Sequence, residues 1–396
     1  MSTKKPGSSN PAAIWKIIFI MAIVTCATGL PRRAASAGSP PQYQAVETQI
    51  NSVFDGVTSD DEPGLAVIVR RNGKLVFEKG YGVRDLRTRA KIDGQTNFRL
   101  ASVTKQFTAM CIMMLVRDHK LEYADTLTDV FPGFPSYGKS ISIRNLLNHT
   151  SGLLDYEELW EKEFPGKAPE AIPQIKDTGV LDLMKQQTAT KFPAGTKWEY
   201  SNTGYALLAM VVEQKSGMAF GNFLRERIFD PLKMTNTIAY EKGKNEVKNR
   251  AYGHSKDGDK WQETDQSDTS AVLGDGGIYT SVEDMAKWDD ELEHHKLLSA
   301  KNMRAATDPV RMRAGDRESF PLDDTRHPIL YGFGWFLDAY KGHERMYHDG
   351  ETIGFRTTIQ RFTSDRVSVV VLCNRQDLEP QALAEKVEDI LIALPN

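Results

Sequence analysis

Residues 98–119 read FRLASVTKQFTAMCIMMLVRDH, and this stretch indicates how the chain folds around a reactive group. Apolar side chains recur at three- and four-residue steps from Phe107 to Leu115, which is the period of a helix with one buried face. Ser102 stands where this helix begins, and Lys105 follows one helical turn later. The stretch therefore predicts a hydroxyl beside an amine at the start of a buried helix.

The pair formed by Ser102 and Lys105 has the residue types that nucleophilic catalysis requires. A serine hydroxyl is a poor nucleophile near neutral pH unless a base accepts its proton, and a helix N-terminus favours the negative charge that develops on attack. The pattern Ser-x-x-Lys also occurs at Ser2 and Ser136, but only Ser102 has helical context. An isolated match would be assigned to a capping serine followed by a solvated lysine.

A second polar motif is Tyr200-Ser201-Asn202, which holds the only Tyr-x-Asn in the chain. It precedes a helical segment at Tyr205–Ser216. The part from Tyr205 to Val212 is apolar nearly all round and therefore predicts a buried helix beneath the active site. A phenol near a lysine loses its proton more easily and can act as a general base, while an amide can orient both lysine and substrate. Taken alone, Tyr200 would be assigned to a cap or to the edge of the core.

A third motif is His348-Asp349-Gly350, just ahead of a β-rich run at 354–362. A glycine where backbone approaches a ligand, beside a polar side chain on an edge strand, suits a substrate clamp formed by His348, Asp349 and Gly350. The alternative for the motif alone is a turn before a hairpin.

Segments rich in β-forming residues lie at both ends of the chain. The first is a hairpin around Asn72-Gly73, a dipeptide that is a strong turn signal. Strands at both ends with helices between them predict an α/β (α+β) fold: an antiparallel sheet built from both termini, flanked by helices, with an inserted helical region and the active site in the cleft between them. The β-rich segments are 64–84, 332–337, 354–362 and 367–373.

The N-terminus and the domain boundaries follow from composition. The first 37 residues carry five basic and no acidic side chains, and Ile17–Leu30 is a 14-residue apolar run that is too short to span a bilayer. Residues 1–37 therefore predict a signal peptide and a periplasmic or secreted protein, with an uncleaved membrane anchor as the alternative because Arg32 and Arg33 lie near the cleavage site. The expected domains are 38–120 with 254–396, and the helical insert 121–253.

Charge and cysteine content limit the function further. Without residues 1–37 the chain has 45 basic and 53 acidic residues, which excludes a nucleic-acid backbone footprint and leaves a small molecule or short peptide as the expected partner. Cys111 and Cys373 fall in apolar segments and predict buried free thiols. Adjacent His294 and His295 point in different directions on a helix, so no metal site is expected. The oligomeric state stays open.

The three motifs, in this order, resemble those of the serine β-lactamase and penicillin-binding-protein superfamily. The resemblance is to its class C-like branch, with D,D-peptidases, family VIII esterases and D-aminopeptidases, and it runs from Gly64 to Arg375. An α/β-hydrolase would need Gly-x-Ser-x-Gly, which the chain lacks. The segments similar to family hallmarks are 98–105, 146–153, 228–232 and 276–281.

This resemblance implies an enzyme in which Ser102 attacks a carbonyl to form an acyl-enzyme, while Lys105 and Tyr200 relay its proton. Asn202 would orient Lys105 and the substrate. The backbone N–H groups of Ser102 and Glu351 would hold the oxyanion, each donor contributing roughly 3 to 4 kcal/mol. Neither metal nor cofactor is needed, and the choice of principal base stays open.

Two departures from the family pattern bear on substrate and deacylation. Asp349 replaces a hydroxyl residue of the third motif, so we expect its carboxylate to repel a substrate carboxylate and to favour esters, or amides that carry an amine. No Glu-x-x-Leu-Asn segment is present, since Glu157–Trp160 does not match it, so a dedicated glutamate for deacylation is not expected. His149 lies in a family hallmark and is expected to be a hydrogen-bonded structural residue rather than a triad base.

The function expected from these motifs is a serine hydrolase that acts on an ester or amide through an acyl-enzyme. One alternative is a β-lactamase or D,D-carboxypeptidase of the cell envelope. The other is a non-catalytic sensor of β-lactams or peptidoglycan peptides, which would not need Ser102, Lys105, Tyr200 and Asn202 together.

Overall fold

Strands from both ends of the chain meet in one six-stranded antiparallel sheet in the computed structural model. The structure describes residues 44–168, 171–314, 317–322 and 326–394. The signal peptide predicted for residues 1–37 lies outside the described residues.

The strands follow chain order. They are β1 Leu65–Arg71, β2 Lys74–Tyr81, β3 Val83–Asp85, β4 Ala90–Lys91, β5 Phe98–Arg99, β6 Ile238–Ala239, β7 His254–Asp257, β8 Lys260–Glu263, β9 Ile278–Thr280, β10 Met312–Ala314, β11 Arg317–Ser319, β12 Phe336–Tyr340, β13 His343–Thr352, β14 Phe355–Phe362 and β15 Val367–Cys373.

The helices are numbered in the same way, and short 3-10 turns at Ala101–Thr104 and Ser136–Ser140 and a π-helical turn at Arg225–Phe229 accompany them. They are α1 Gln44–Phe54, α2 Lys105–Arg117, α3 Leu127–Val130, α4 Ile143–Leu147, α5 Tyr156–Lys162, α6 Asp177–Lys185, α7 Asn202–Ser216, α8 Phe220–Leu224, α9 Asp230–Leu232, α10 Val282–His294, α11 Ala300–Thr307 and α12 Pro380–Ile392.

The large sheet has the order β12-β13-β14-β15-β1-β2, and the pairing of β1 with β15 joins the two ends of the chain. Successive side chains of a strand point to opposite faces of the sheet, so a strand can contribute side chains to two hydrophobic cores, one on each face. Val67 and Val371 pack with α1 and α12 on one face, whereas Ile68 and Leu372 join the larger core that contains α2 and α7. The predicted fold class is confirmed.

Several local predictions are also confirmed. Asn72 and Gly73 both have positive φ, at 54° and 70°, as a two-residue hairpin turn between twisted strands requires. The buried helix expected at 205–216 is α7, and Gly217 ends it in the left-handed conformation at φ 73°. Cys111 and Cys373 are buried free thiols.

One sequence expectation needs correction. The motif His348-Asp349-Gly350 is not a turn, since it lies inside β13 and pairs with β14. The pairing of β13 with β12 ends at Tyr347, so the motif lies at an open edge of the sheet, as expected.

The division into an α/β domain and an insert at 121–253 stays an interpretation of chain order. Strand β6, which falls inside the expected insert, pairs with β9 of the α/β part. Among the described residues, no helix has the length and apolar character needed to cross a membrane.

Candidate active site

Ser102 and Lys105 lie at the junction of the 3-10 turn and helix α2. Lys105 Nζ is 3.0 Å from Ser102 Oγ, 2.9 Å from Asn202 Oδ1 and 3.0 Å from the carbonyl oxygen of Asp275. Of the three groups around Nζ, the Ser102 hydroxyl is the one that carries a proton of its own. The buried lysine is therefore placed to accept the serine proton.

The backbone around Ser102 is held in a tight arrangement. Ala101 has φ 48°, an uncommon value for a residue with a side chain, which turns the chain sharply into the nucleophile. Strand β13 packs directly against this turn, because a Cβ added to Gly350 would lie 2.2 Å from the carbonyl oxygen of Leu100. Thr357 Oγ1 also donates to that carbonyl at 2.8 Å. Gly350 thus serves backbone packing that fixes the turn carrying Ser102.

Tyr200 and Asn202 reach the site from the N-terminus of α7. Ser201 caps this helix by accepting from the backbone N–H of Gly204, and Asn202 is its first residue. The Tyr200 ring centroid is 4.9 Å from Lys105 Nζ. The structure therefore brings together Ser102, Lys105, Tyr200 and Asn202, as predicted, while their catalytic roles stay predictions.

Ser102 lines an open cleft at the protein surface. Glu351, the second residue predicted to contribute an oxyanion N–H, lines the same cleft, and its carboxylate pairs with Arg356 at 2.6 Å. Other residues that line the cleft are Arg99, Ala101, Tyr156, Glu157, Asn202, Thr269, Asp275, Gly276 and Thr352.

Two acidic residues at this cleft were not predicted as functional. Glu157 Oε1 accepts from Asn202 Nδ2 at 3.1 Å, and burial together with nearby Asp275 raises the pKa of Glu157 to about 7. Asp275 accepts from the Tyr156 hydroxyl at 2.8 Å, and burial raises its pKa while the Lys105 charge opposes the rise. The charged groups around Lys105 are thus predominantly acidic.

A third carboxylate, Asp177 at the start of α6, fixes the chain segment that holds Lys105. It accepts from the backbone N–H of Leu273 at 2.8 Å and of Gly274 at 3.0 Å, just before the carbonyl of Asp275. Burial raises the pKa of Asp177 to about 7, although these two bonds act in the opposite direction. No sequence pattern connects residues so far apart in the chain, so Asp177 could not be selected from the sequence.

His348 does not present a free polar atom to the cleft. Its Nδ1–H donates to the carbonyl of Asp349 at 2.7 Å, so Nε2 accepts from the Tyr331 hydroxyl at 3.2 Å. Burial, with the Lys105 charge, lowers the pKa of His348 to about 3. The ring is therefore neutral with both nitrogens engaged in this structure, and the substrate-binding role expected for His348 stays a prediction.

The expectation for Asp349 is wrong. Because His348 and Gly350 face Ser102, the alternation of side chains along β13 turns Asp349 to the opposite face of the sheet. There its Oδ1 accepts from Thr358 Oγ1 at 2.6 Å, and burial raises its pKa to about 6. Its carboxylate does not face a substrate and cannot repel one.

A family model described as Beta-lactamase matches residues 50–393. The chain belongs to the beta-lactamase family. As a family member it is a serine hydrolase for amide or ester substrates.

Beta-lactamase-family relatives differ in what their names state. Penicillin-binding protein 4* of Bacillus subtilis is 29% identical over 360 residues, which cover 87% of this chain and 76% of the relative. A D-aminopeptidase of Brucella canis is 27% identical over 323 residues, which cover 79% of this chain, and the chain spans only 56% of that relative's length. The structure of a D-amino acid amidase from Ochrobactrum anthropi SV3 superposes with a TM-score of 0.70 at 22% identity, covering 88% of this chain and 99% of the amidase, and shows a shared fold.

Proposed function

We propose that this member of the beta-lactamase family hydrolyses amides or esters of amino acids whose α-amino group is free and protonated. The observation that carries the proposal is Glu157, a carboxylate that lines the same cleft as Ser102 and is bonded to Asn202. A carboxylate in a partly desolvated cleft attracts an ammonium group more strongly than it would in water. The preference for amines expected from the sequence thus rests on Glu157 instead of Asp349.

The charges of the cleft also disfavour a substrate with a free carboxylate. Among the described residues that line the cleft, Arg99 is the one cation, and its guanidinium is already bound to Ser270 and to the carbonyl of Gly276. A substrate carboxylate in the cleft would meet Glu157 and Asp275, while the N–H groups of Arg99 are engaged by other acceptors. The names of the Brucella D-aminopeptidases agree with an amine-bearing substrate.

The proposed reaction proceeds in two halves through one covalent intermediate. Ser102 Oγ attacks the substrate carbonyl carbon while its proton passes to the Lys105 and Tyr200 pair, and the backbone N–H groups of Ser102 and Glu351 stabilise the oxyanion. The proton is then delivered to the departing amine or alcohol, which leaves an ester between the acyl group and Ser102. A water molecule gives its proton to the same pair, attacks this ester and releases the acid and free Ser102.

The direct test compares matched substrates with free and acetylated α-amino groups. We expect p-nitroanilides and p-nitrophenyl esters of D- or L-amino acids to be hydrolysed with kcat/KM at least about 10-fold above their N-acetyl forms. Nitrocefin and free-acid D-Ala-D-Ala peptides serve as the comparison set. Ser102→Ala is the control that must remove all activity. Equal rates for free and acetylated forms, or nitrocefin as the best substrate, would contradict the proposal.

We further propose that the protein is exported and acts in the periplasm or outside the cell. The support is the basic N-terminus, the apolar run at Ile17–Leu30 and the small residues Ala35-Ser36-Ala37. Fractionation of expressing cells and N-terminal sequencing test this proposal. Cleavage before Gly38 is expected, and uncleaved protein in the cytoplasmic fraction would contradict it.

A further inference from the structure

His149 bonds to the backbone on both sides of Tyr200. The N–H of Glu199 donates to the carbonyl of His149 at 2.9 Å, and the N–H of Ser201 donates to His149 Nδ1 at 3.1 Å. The imidazole also lies against the Tyr200 ring, with centroids 4.4 Å apart. One fully buried residue thus bonds to the peptide groups on both sides of Tyr200, once through its backbone carbonyl and once through its side chain, and its ring covers one side of the phenol ring.

We propose that His149 is a positioning residue that holds Tyr200 in register with Lys105 for proton transfer. The inference rests on the proposed function, because it assigns to Tyr200 a share in relaying the Ser102 proton. What His149 contributes is the acceptor at Nδ1 and the ring surface, and no covalent or proton-transfer step passes through it.

The state of the imidazole suits an acceptor and not a base. Burial lowers the pKa of His149 well below 6.5, with the positive charge of Lys105 acting in the same direction. The ring is therefore neutral, with Nδ1 unprotonated toward Ser201 and the proton on Nε2, which has no hydrogen-bond partner in the part of the chain that the structure describes. Ser102 Oγ is bonded to Lys105 instead, so His149 has no direct path to the nucleophile.

The surrounding chain keeps this contact rigid. The segment that leads to Tyr200 is bonded along its length to the one that carries His149, through Lys191 N to Gly152 O at 2.7 Å and Gly195 N to Thr150 O at 2.8 Å. A Cβ on Gly152 would lie 2.2 Å from the carbonyl of Phe192, so the two segments are in direct contact. The rings of Tyr205 and Tyr331 pack against the imidazole at 5.2 Å and 4.5 Å between centroids.

Two amide substitutions of His149 test whether the site needs a hydrogen-bond acceptor at the place of Nδ1 or only a polar side chain. In His149→Asn the amide oxygen can occupy the place of Nδ1, whereas in His149→Gln the amide lies near the place of Nε2 and leaves Ser201 N–H without an acceptor. We expect the Asn variant to keep kcat within about threefold of wild type and the Gln variant to lose about 30-fold or more, with KM changed little in both, because small misplacement of a catalytic group is costly.

The controls address strain and folding. His119 is exposed and has φ 55°, close to the 61° of His149, so His119→Asn and His119→Gln report the cost of these residues in a left-handed position. Thermal unfolding is measured for all four variants. Should His149→Gln not fold, the Asn variant still decides the matter, because a loss above about 30-fold in a folded protein contradicts the proposal.

A double-variant comparison distinguishes positioning from a general structural role. In a Tyr200→Phe background, we expect His149→Gln to cause little further loss of kcat, because the group that it positions is gone. Full additivity of the two losses, or equal activity of the Gln and Asn single variants, would overturn the proposal. Wild-type activity that survives Ser102→Ala or Tyr200→Phe would instead count against the proposed function itself.

Discussion

Glu157 Oε1 lies 3.1 Å from the amide nitrogen of Asn202, and the amide oxygen of the same Asn202 lies 2.9 Å from Lys105 Nζ. One side chain therefore joins the carboxylate proposed to bind the substrate ammonium to the amine proposed to activate Ser102. An asparagine suits this position because it has both a donor and an acceptor, and an aspartate would offer only acceptors.

Glu157→Gln tests the substrate side of this arrangement. We expect kcat/KM for free-amine substrates to fall about 10- to 100-fold, the range for losing a hydrogen bond to a charged group, while N-acetylated substrates lose little. Glu158→Gln is the matched control, since Glu158 is exposed on the same helix. Equal losses of kcat/KM for free and acetylated substrates would show that Glu157 supports the fold and does not bind the substrate ammonium.

The pH profile gives a second measurement on Glu157. Its pKa is raised to about 7, so in the free enzyme the carboxylate that binds an ammonium is formed only as the pH rises through that value. We expect the kcat/KM of wild type for free-amine substrates to increase from roughly pH 6 to pH 7, and to fall again near pH 8, where the α-amino group of the substrate loses its proton. The difference between wild type and Glu157→Gln isolates this rise from the titration of other groups, and identical profiles would contradict the assignment.

Asp177→Asn tests how the carbonyl of Asp275 is held. An amide can accept from only one of the two N–H groups of Leu273 and Gly274, so one buried donor loses its acceptor at a cost of about 1 to 3 kcal/mol. We expect a lower melting temperature and a kcat reduced about 10-fold because Lys105 is less well placed. Asp182→Asn, exposed on the same helix, is the control and leaves both quantities unchanged.

Asp349→Asn tests the corrected placement of that residue. The amide oxygen can still accept from Thr358, and the side chain faces away from Ser102. We expect kcat/KM for substrates with and without a free carboxylate to stay within about threefold of wild type, since interactions on the far face of the sheet do not reach the cleft. A marked gain for free-acid peptides would mean that the carboxylate does act on substrate.

Glu388, on the face of α12 that packs on the sheet, predicts a pH-dependent stability. The buried carboxyl has no hydrogen-bond partner among the described residues, and burial raises its pKa to about 9. The folded protein keeps the proton up to that pH, while the unfolded chain releases it above about 4.5, so stability is lost progressively between these values. Glu388→Met should therefore raise the melting temperature more at pH 8 than at pH 5, with a gain of up to about 3 kcal/mol near neutral pH. An equal gain at both pH values would contradict this account.

The sequence predicted best those features that depend on near neighbours in the chain. Ser102 and Lys105 are one helical turn apart, and Asn72-Gly73 carries its own turn preference, so both could be placed without knowledge of the fold. The site residues Tyr200 and Asn202 required the resemblance to a family, because nothing local shows that they approach Lys105.

The features that the sequence did not predict depend on register and on long-range contacts. The face of the sheet on which Asp349 lies depends on the position of this residue within β13. The motif alone does not show which of its side chains point toward the cleft. Asp177 meets Leu273 and Gly274 only after the helical region docks on the sheet. Glu157 was set aside because its neighbours do not match a family segment, although its position before Leu159 and Trp160 on an amphipathic helix offered a signal that it faces the core side.

The central claim is that Ser102 is acylated during turnover. Mass spectrometry of protein quenched with a p-nitrophenyl ester or a penicillin, followed by tryptic mapping, tests it most directly, because Ser102 lies in the short peptide LASVTK, residues 100–105. We expect the mass of one acyl group on Ser102, distinguished from Thr104 by fragmentation, and no adduct in Ser102→Ala. An adduct on another residue, or one that persists in Ser102→Ala, would contradict the account.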